Sequence, residues 1–383
     1  ISATIDSSGR VVTASSAVGA GEPVQGYAPV FYPGTTQVAT AQTVRVGVST
    51  EQLGIDFGLQ RVALSTVSGQ VVVPNGQSPT TIQIRLLQAD SSALGLGQQT
   101  ARPAQNGSFS FRSVVPGQYT IFAVASVVEP RTPGQAPTPV VQNQSPASPR
   151  RIWAQADVFV DGAVPPMVSL TMQEGLPLSG HITFDGTAPQ PTGNQRVRVM
   201  LNPLGAVQLL GMGNLSTTVD AGGRFTLNGV IPGRYRVSAS GAQGWSVKTV
   251  IANGVDVLDF PLTIAADERA PDLTVQFGDR NTDLKGVLSD ATGTPSSEFS
   301  VVIFPSDERY WVPFARRMRS TRPATDGKFA FVGLPPGEYR IAAVTDVETG
   351  EWLDPEFLRQ LLPASISVRL ADGQQTTQDI RVR

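Results

Sequence analysis

The sequence predicts an all-β protein, a tandem array of antiparallel β-sandwiches with one short helix near the C-terminus. Three observations predict it. First, a phrase recurs three times. Asn106-Gly107-Ser108-Phe109-Ser110-Phe111 leads to Pro116-Gly117-Gln118-Tyr119. Gly222-Gly223-Arg224-Phe225-Thr226-Leu227 leads to Pro232-Gly233-Arg234-Tyr235, and Asp326-Gly327-Lys328-Phe329-Ala330-Phe331 leads to Pro336-Gly337-Glu338-Tyr339. In every copy the Gly before the Phe lies nine residues before the Pro, and the Tyr follows that Pro by three. Second, 38 Gly and 30 Pro with only 16% charged residues suit many turns joining short strands. Third, the apolar residues around each phrase alternate with a period of two.

Each unit opens with a strand carrying Ser-Gly or Lys-Gly: Val67–Val71, Leu178–Ile182 and Leu284–Leu288. A second strand follows at Ile82–Leu86, Val197–Leu201 and Val301–Phe304. The Asn-Gly, Gly-Gly and Asp-Gly pairs supply residues tolerant of positive φ, as a tight hairpin turn requires. The aromatic pair Phe109/Phe111, with its counterparts Phe225/Leu227 and Phe329/Phe331, then marks a half-buried strand. Pro-Gly makes a second turn, with Pro pre-setting φ. The Tyr begins another alternating strand and is placed as a core aromatic whose hydroxyl reaches a backbone partner. Closing strands are clearest at Ile366–Leu370 and Asp379–Val382. About seven short strands per roughly 105 residues is the arithmetic of a two-sheet sandwich. Unit boundaries are placed at 63–173, 174–279 and 280–383.

Residues 1–62 read as part of a fourth unit. Ile1-Ser2-Ala3 matches the strand after the Tyr, while Val44–Val46 and Ile55–Leu59 match closing strands. The front strands are missing from this reading. Three explanations are open: the chain is a piece of a longer protein, the front half is disordered, or another subunit donates the strands. The first is favoured. Half a sandwich exposes unpaired edges and apolar surface, so self-association through this incomplete unit is expected. The one helical signal spans residues 354–362, with Asp354 as N-cap, Pro355 at the first helical position, and Phe357, Leu358, Leu361 and Leu362 on one face.

The run Gly-x-Phe-x-Phe followed by Pro-Gly-x-Tyr-x-[Ile/Val]-x-Ala resembles the carboxypeptidase regulatory-like domains. These stand with the immunoglobulin-like, transthyretin-like and Cna-B-type sandwiches. The resemblance covers three units and the partial first one. It implies a bacterial, extracytoplasmic protein, because such units recur in tandem in large exported proteins. It does not imply one activity, since these sandwiches serve as spacers, stalks, adhesins or carbohydrate-binding domains.

Catalysis finds little support. The chain has one histidine, His181, and no cysteine, too few nitrogen and sulfur ligands for zinc or iron. No nucleophile elbow, P-loop or dinucleotide-binding glycine pattern occurs. A net charge of -2 provides no field for nucleic acid, and no apolar run reaches the roughly 20 residues of a membrane span. No cofactor is implied. Calcium needs clustered carboxylates, and the nearest groupings, Asp267-Glu268 with Asp272 and Asp279 with Asp283, fall at a unit junction where polar loops are the default. In Cna-B-type relatives an isopeptide bond is known, so Lys285 and Asp379 form a candidate pair; an exposed lysine is the plainer reading.

For ligand binding the residues to weigh are aromatics outside the phrase: Trp153, Trp245, Trp352, Tyr27 and the Phe31-Tyr32-Pro33-Gly34 loop. Tyr310-Trp311 with Phe314, Arg316 and Arg317 is the best candidate, combining rings that stack on sugar faces with guanidinium donors. The alternative is that these rings cover a sandwich end or pack between neighbouring domains. The resulting expectation is a non-enzymatic structural or adhesive protein. Alternatives are a carbohydrate-binding array whose partner is a glycan, or an accessory segment of a larger enzyme or transporter.

Overall fold

The computed structural model describes residues 3–5, 11–13, 24–44, 46, 50–74, 79, 81–89, 98–127, 150–162, 164–190, 197–312, 315–345 and 347–382. The protein is all-β, a tandem series of two-sheet sandwiches. Two compact units are present. One is Ile1–Pro130 with Ile152–Glu174; the other is Arg131–Arg151 with Gly175–Arg383 and holds two sandwiches.

The three copies of the phrase build the same frame. In the first sheet of each, the opening strand lies between the motif strand and a closing strand. The opening strands are Ser65–Val72, Leu176–Asp185 and Asp283–Ser289. The motif strands Ser108–Val114, Arg224–Val230 and Lys328–Phe331 pair antiparallel with them. The closing strands Met167–Thr171, Leu273–Gly278 and Gln375–Thr377 pair parallel, and in the third copy Ile380–Arg381 continues the parallel pairing along the same opening strand. In the second sheet the second strand and the tyrosine strand pair antiparallel, as in Arg198–Leu204 with Gly233–Ser240.

The Ser-Gly or Lys-Gly of the opening strand now has a physical reason. Gly69 is opposite Phe109, Gly180 opposite Phe225 and Gly286 opposite Phe329. In each case a Cβ would overlap the facing phenyl ring and a carbonyl across the sheet: Val168 or Leu273 in the closing strand, or Gln378 just beyond it. Only glycine lets the three strands approach this closely.

The turn before the motif strand is a three-residue loop with its glycine at positive φ, 82° at Gly107, 76° at Gly223 and 73° at Gly327. Ala104 and Ser108, Asp220 and Arg224, and Ala324 and Lys328 close it. The strands on either side enter opposite sheets, so the turn is a corner of the sandwich rather than the tip of a hairpin. The same glycine carbonyls accept from Val71, Ile182 and Leu288, extending the opening-strand ladder.

The tyrosines occupy the place expected of them. Tyr119, Tyr235 and Tyr339 are fully buried, and each hydroxyl donates to the carbonyl four residues upstream: Val115 at 2.9 Å, Ile231 at 2.7 Å and Pro335 at 2.7 Å. Those carbonyls lie in the crossover from the first sheet to the second, so the phenol pins the crossover while its ring fills the core.

The C-terminal helix, Pro355–Leu361, is capped by Asp354, whose carboxylate accepts from the Glu356 amide at 2.9 Å. Leu358 is fully buried in a second core on the outer face of the last sandwich, with Val302, Phe304, Trp311, Ala315 and Met318. A further helical turn, Ala206–Leu209, carries no signal in the sequence pattern.

Near the N-terminus the strands differ from expectation. Ala3–Ile5 pairs with Val11–Thr13, and Gln25–Tyr27 pairs with Arg61–Ala63. Among the described residues of Val44–Val46 and Ile55–Leu59 no strand forms. Apolar alternation makes a strand only where an edge is available to pair with, and none of the described strands lies against these residues.

Burial raises the pKa of all three motif tyrosines, to about 12 at Tyr119 and Tyr339 and likewise upward at Tyr235. The folded state therefore keeps protons that the unfolded chain releases near pH 10. The stabilisation is complete below that pH and is lost as pH rises through the folded-state values, at about 1.4 kcal/mol per pH unit and tyrosine. Tyrosinate absorbance should show these three of the six tyrosines ionising late and together with loss of the β-sheet circular dichroism signal. Ionisation of all six near pH 10 with the sheet signal intact would refute the buried placement.

Candidate functional site

The residues singled out for ligand binding follow the second strand of the third sandwich, Ser300–Pro305. Asp307 starts the segment by capping the turn Glu308–Tyr310, accepting from the Arg309 amide at 3.0 Å. From this turn the two aromatics diverge. Trp311 folds back over the sheet: its Nε1 donates to the Pro305 carbonyl at 2.8 Å and its ring meets Phe304 edge-on at 5.7 Å. It is buried in the second core with Leu358. Tyr310 points away, its ring 5.3 Å from that of Phe260 in the preceding sandwich. The Arg317 guanidinium sits over the Tyr310 face at 4.5 Å. Phe314 lies outside the described residues.

Arg316 and Arg317 converge on one carboxylate. Arg316 Nε donates to Asp259 Oδ1 at 2.8 Å, and Arg317 Nε to Asp259 Oδ2 at 2.7 Å. Arg316 also donates to Asp256 Oδ2 at 2.9 Å and to the Lys248 carbonyl at 2.9 Å. Arg317 Nη1 reaches the Pro336 carbonyl at 3.1 Å and the Tyr339 hydroxyl at 3.4 Å. The Asp259 side chain is only 1% exposed. A carboxylate so buried is tolerated because both oxygens accept charged N–H groups; an incomplete set would leave its desolvation uncompensated. Burial also opposes the charge on Arg317, but Tyr339 and Asp259 outweigh it and raise its pKa.

The second sandwich presents these acids through a hairpin. Asn253 and Gly254, at φ 50° and 78°, form the two-residue turn between Ser246–Ala252 and Val255–Asp256. Asp256 Oδ1 accepts from the Val250 and Leu258 amides at 3.2 and 3.0 Å, leaving Oδ2 for Arg316.

A second charged contact joins the same two sandwiches. Lys248 Nζ lies 2.8 Å from Asp185 and also pairs with Asp372 of the third sandwich. Burial disfavours this ammonium, but the two carboxylates outweigh it and hold its pKa above the ordinary lysine value. The sandwiches are thus joined by an arginine clamp and a lysine bridge.

The other candidates have separate places. Asp279 accepts from the Thr187 and Ala188 amides at 2.6 and 2.8 Å; the Ala188 and Thr187 bonds hold its carboxyl below the usual range. Asp283 accepts from the Gly333 amide at 3.0 Å, and Asp272 stands 3.7 Å from half-exposed His181. Among the described residues no group of three metal-ligating side chains is gathered. Lys285 does not meet Asp379: its amine donates to Gln375 at 3.3 Å, while Asp379 accepts from the Val287 amide at 2.8 Å. Trp153 and Trp245 are buried, Trp245 Nε1 donating to the Pro189 carbonyl at 3.2 Å. Trp352 packs against the second core, Tyr32 lies edge-on to Phe57, and Tyr27 is exposed.

Tyr310, Arg316 and Arg317 are therefore brought together, and Trp311 is not. The residues that sequence reasoning missed are their partners, Lys248, Asp256, Asp259, Phe260 and Asp372. The available signal was an acidic loop, Asp256-Val257-Leu258-Asp259, and an Arg-Arg pair, Arg316-Arg317, about sixty positions further on. Asp259→Asn leaves two partly buried guanidiniums short of one charge. It should cost about 3–5 kcal/mol in denaturant unfolding followed by tryptophan fluorescence, well above the cost of Lys285→Met at an exposed position.

Comparison with known proteins adds to the fold. A family model described as the second β-sandwich domain of BOS complex subunit NOMO1-like proteins matches residues 65–129, the region of the first copy. No curated protein matches the sequence. Among solved structures, the Bacillus anthracis TIE protein is 12% identical with a TM-score of 0.20 over 85% of this chain, which spans 52% of that protein's length. A streptococcal ancillary pilin is 11% identical with a TM-score of 0.24, covering 83% of this chain and 99% of that one. BcpA, the major pilin subunit of Bacillus cereus, is 11% identical with a TM-score of 0.21, covering 83% and 98%. Superpositions this poor carry no argument about this chain. No helix among the described residues is long and apolar enough to cross a membrane.

Proposed function

We propose that this chain is a non-enzymatic structural segment of an exported bacterial protein, a spacer, stalk or fibre element of carboxypeptidase regulatory-like sandwiches divided at 63–173, 174–279 and 280–383. The arginine clamp carries this reading. A junction closed by two arginines on one buried carboxylate, with a lysine bridge beside it, resists bending in a way that polar rim contacts do not. The loop that follows the second strand of the third sandwich is spent on joining neighbours. Export rests on the family resemblance.

Self-association belongs to the same reading. Gln25–Tyr27 and Arg61–Ala63 form a sheet of only two strands, and Val24, Tyr27, Leu53 and Leu59 around it are exposed. Such a surface favours contact with another copy. The carbohydrate-binding alternative loses its strongest rings, because Trp153, Trp245 and Trp311 are buried.

The absence of cysteine makes spin labelling direct. Labels at Ser179→Cys and Ser367→Cys, both exposed and on neighbouring sandwiches, should give one narrow distance distribution. Arg316→Ala with Arg317→Ala should broaden it while each sandwich stays folded. A broad distribution in the otherwise unaltered chain would sink the rigid-spacer reading. Light scattering should show mass rising with concentration, and replacing Leu53 and Leu59 by Glu should suppress that rise; a monomer throughout would remove the fibre version.

A further inference from the structure

The three closing strands share one position in the fold but not one fate. In the second copy the outer edge of Leu273–Gly278 carries an antiparallel strand, Ser246–Ala252, with Leu273 opposite Ala252 and Phe277 opposite Val247. In the third copy the edge is interrupted between Thr377 and Ile380. There Gln378 Nε2 donates to the Asp379 carbonyl at 2.8 Å, and Asp379 and Arg381 bring charge. In the first copy Met167–Thr171 ends its sheet, and no other described strand lies on its outer side. Its five residues carry no charge. Sheet edges are ordinarily covered, interrupted or charged, because a bare one is a template for pairing. Of these three edges, only the first has none of the three devices.

The ladder fixes which backbone groups are open. The Ser68 amide donates to the Pro166 carbonyl, and the Met172 amide donates to the Val72 carbonyl, so even-numbered residues from Pro166 to Met172 face the opening strand. Successive residues of a strand turn their amide and carbonyl groups to opposite sides. Met167, Ser169 and Thr171 therefore present theirs to the open side, and all three are exposed. An antiparallel partner satisfies such a row only when its own open residues fall opposite. The same strand of a second copy, turned about a two-fold axis at Ser169, does so: Ser169 meets Ser169 and Met167 meets Thr171. The register is bounded at both ends, since Pro165 has no amide hydrogen and Gln173 already pairs with Trp153.

Side chains select the same partner. Thr171 lies beside Val72 on the outer face of the sheet. In this register Met167, 87% exposed, lies against the Thr171 methyl and exposed Val72 of the other copy. On the inner face, half-buried Val168 meets Leu170 and extends the core. No like charges meet at the axis.

We propose that Met167–Thr171 is a two-fold pairing edge, at which a second copy of this chain adds its own Met167–Thr171, antiparallel and centred on Ser169. The contact joins the first sandwiches of two chains through one sheet and is separate from the Gln25–Tyr27 and Arg61–Ala63 surface. Five residues a side make a weak contact, with Kd on the order of 0.1 mM.

Cysteine cross-linking of the full chain reads the register. Residues opposite one another stand about 5.5 Å apart between Cα atoms, within the span of a disulfide. With diamide as oxidant, Ser169→Cys should form a covalent dimer about tenfold faster or more than Ser179→Cys, an exposed position on the second sandwich. Met167→Cys and Thr171→Cys chains should cross-link to each other when mixed, and far more slowly when either is alone. Adding Ser169→Lys to both sets two ammonium groups face to face and should slow that cross-link about tenfold. Equal rates for Ser169→Cys and Ser179→Cys overturn the proposal, as does Met167→Cys alone cross-linking as fast as the mixture. Either result leaves the rigid-spacer reading standing, because that reading rests on the spin-label distance.

Discussion

The close approach of three strands at one glycine is the constraint on which each sandwich depends. At Gly69, Gly180 and Gly286 the opening strand has a phenyl ring on one side and a carbonyl of the closing segment on the other, with no space for a methyl group. That packing sets register. A slip of one residue would turn the whole apolar set of the motif strand to solvent and drive a side chain into the ring. With the motif strand held, the Pro-Gly crossover must follow at a set distance. The tyrosine hydroxyl can then reach the carbonyl four residues before it. The repeat is therefore a chain of consequences, and its spacing is invariant because each step needs the one before.

The third sandwich uses this frame as a foundation. Arg317 rests on the crossover, donating to Pro336 and to the Tyr339 hydroxyl while reaching outward to Asp259. Gly337 sits beneath it, and a Cβ there would stand 3.3 Å from the guanidinium. The same corner is covered differently in the other copies, by Gln88 in the first and Val207 in the second. One structural device thus supports three different surfaces. What distinguishes the copies is the residue placed over the corner.

Charge placement follows from burial. Exposed pairs such as Lys328 with Asp326 add little, since water screens them and side-chain entropy opposes them. The clamp differs because Asp259 is withdrawn from water and fully coordinated by nitrogen donors. Its strength lies in completeness. Removing any one partner exposes the desolvation cost of the rest, so the contacts of the clamp depend on one another.

The repeat, the buried Phe and Tyr residues and the capped helix at Asp354 were legible because each depends on neighbours a few residues away. Turn chemistry, two-residue alternation and capping are local physics, and local physics is written in local sequence. The destination of Trp311 was legible only as a choice between a ligand platform and a cover over a sandwich end, until the sheet face beneath it, Phe304 and the Leu358 helix, placed it as the cover. The strands expected at Val44–Val46 and Ile55–Leu59 failed for the same reason, since alternation cannot say whether a pairing edge is present. The clamp joins Arg316 to Asp259 and Asp256 across about sixty positions of chain, a pairing that no spacing rule encodes. The sequence by itself determined the sandwiches and their corners, through contacts between near neighbours. Only the tertiary structure decided that two arginines would close a junction, because that required two sandwiches to present opposite charges at one buried point.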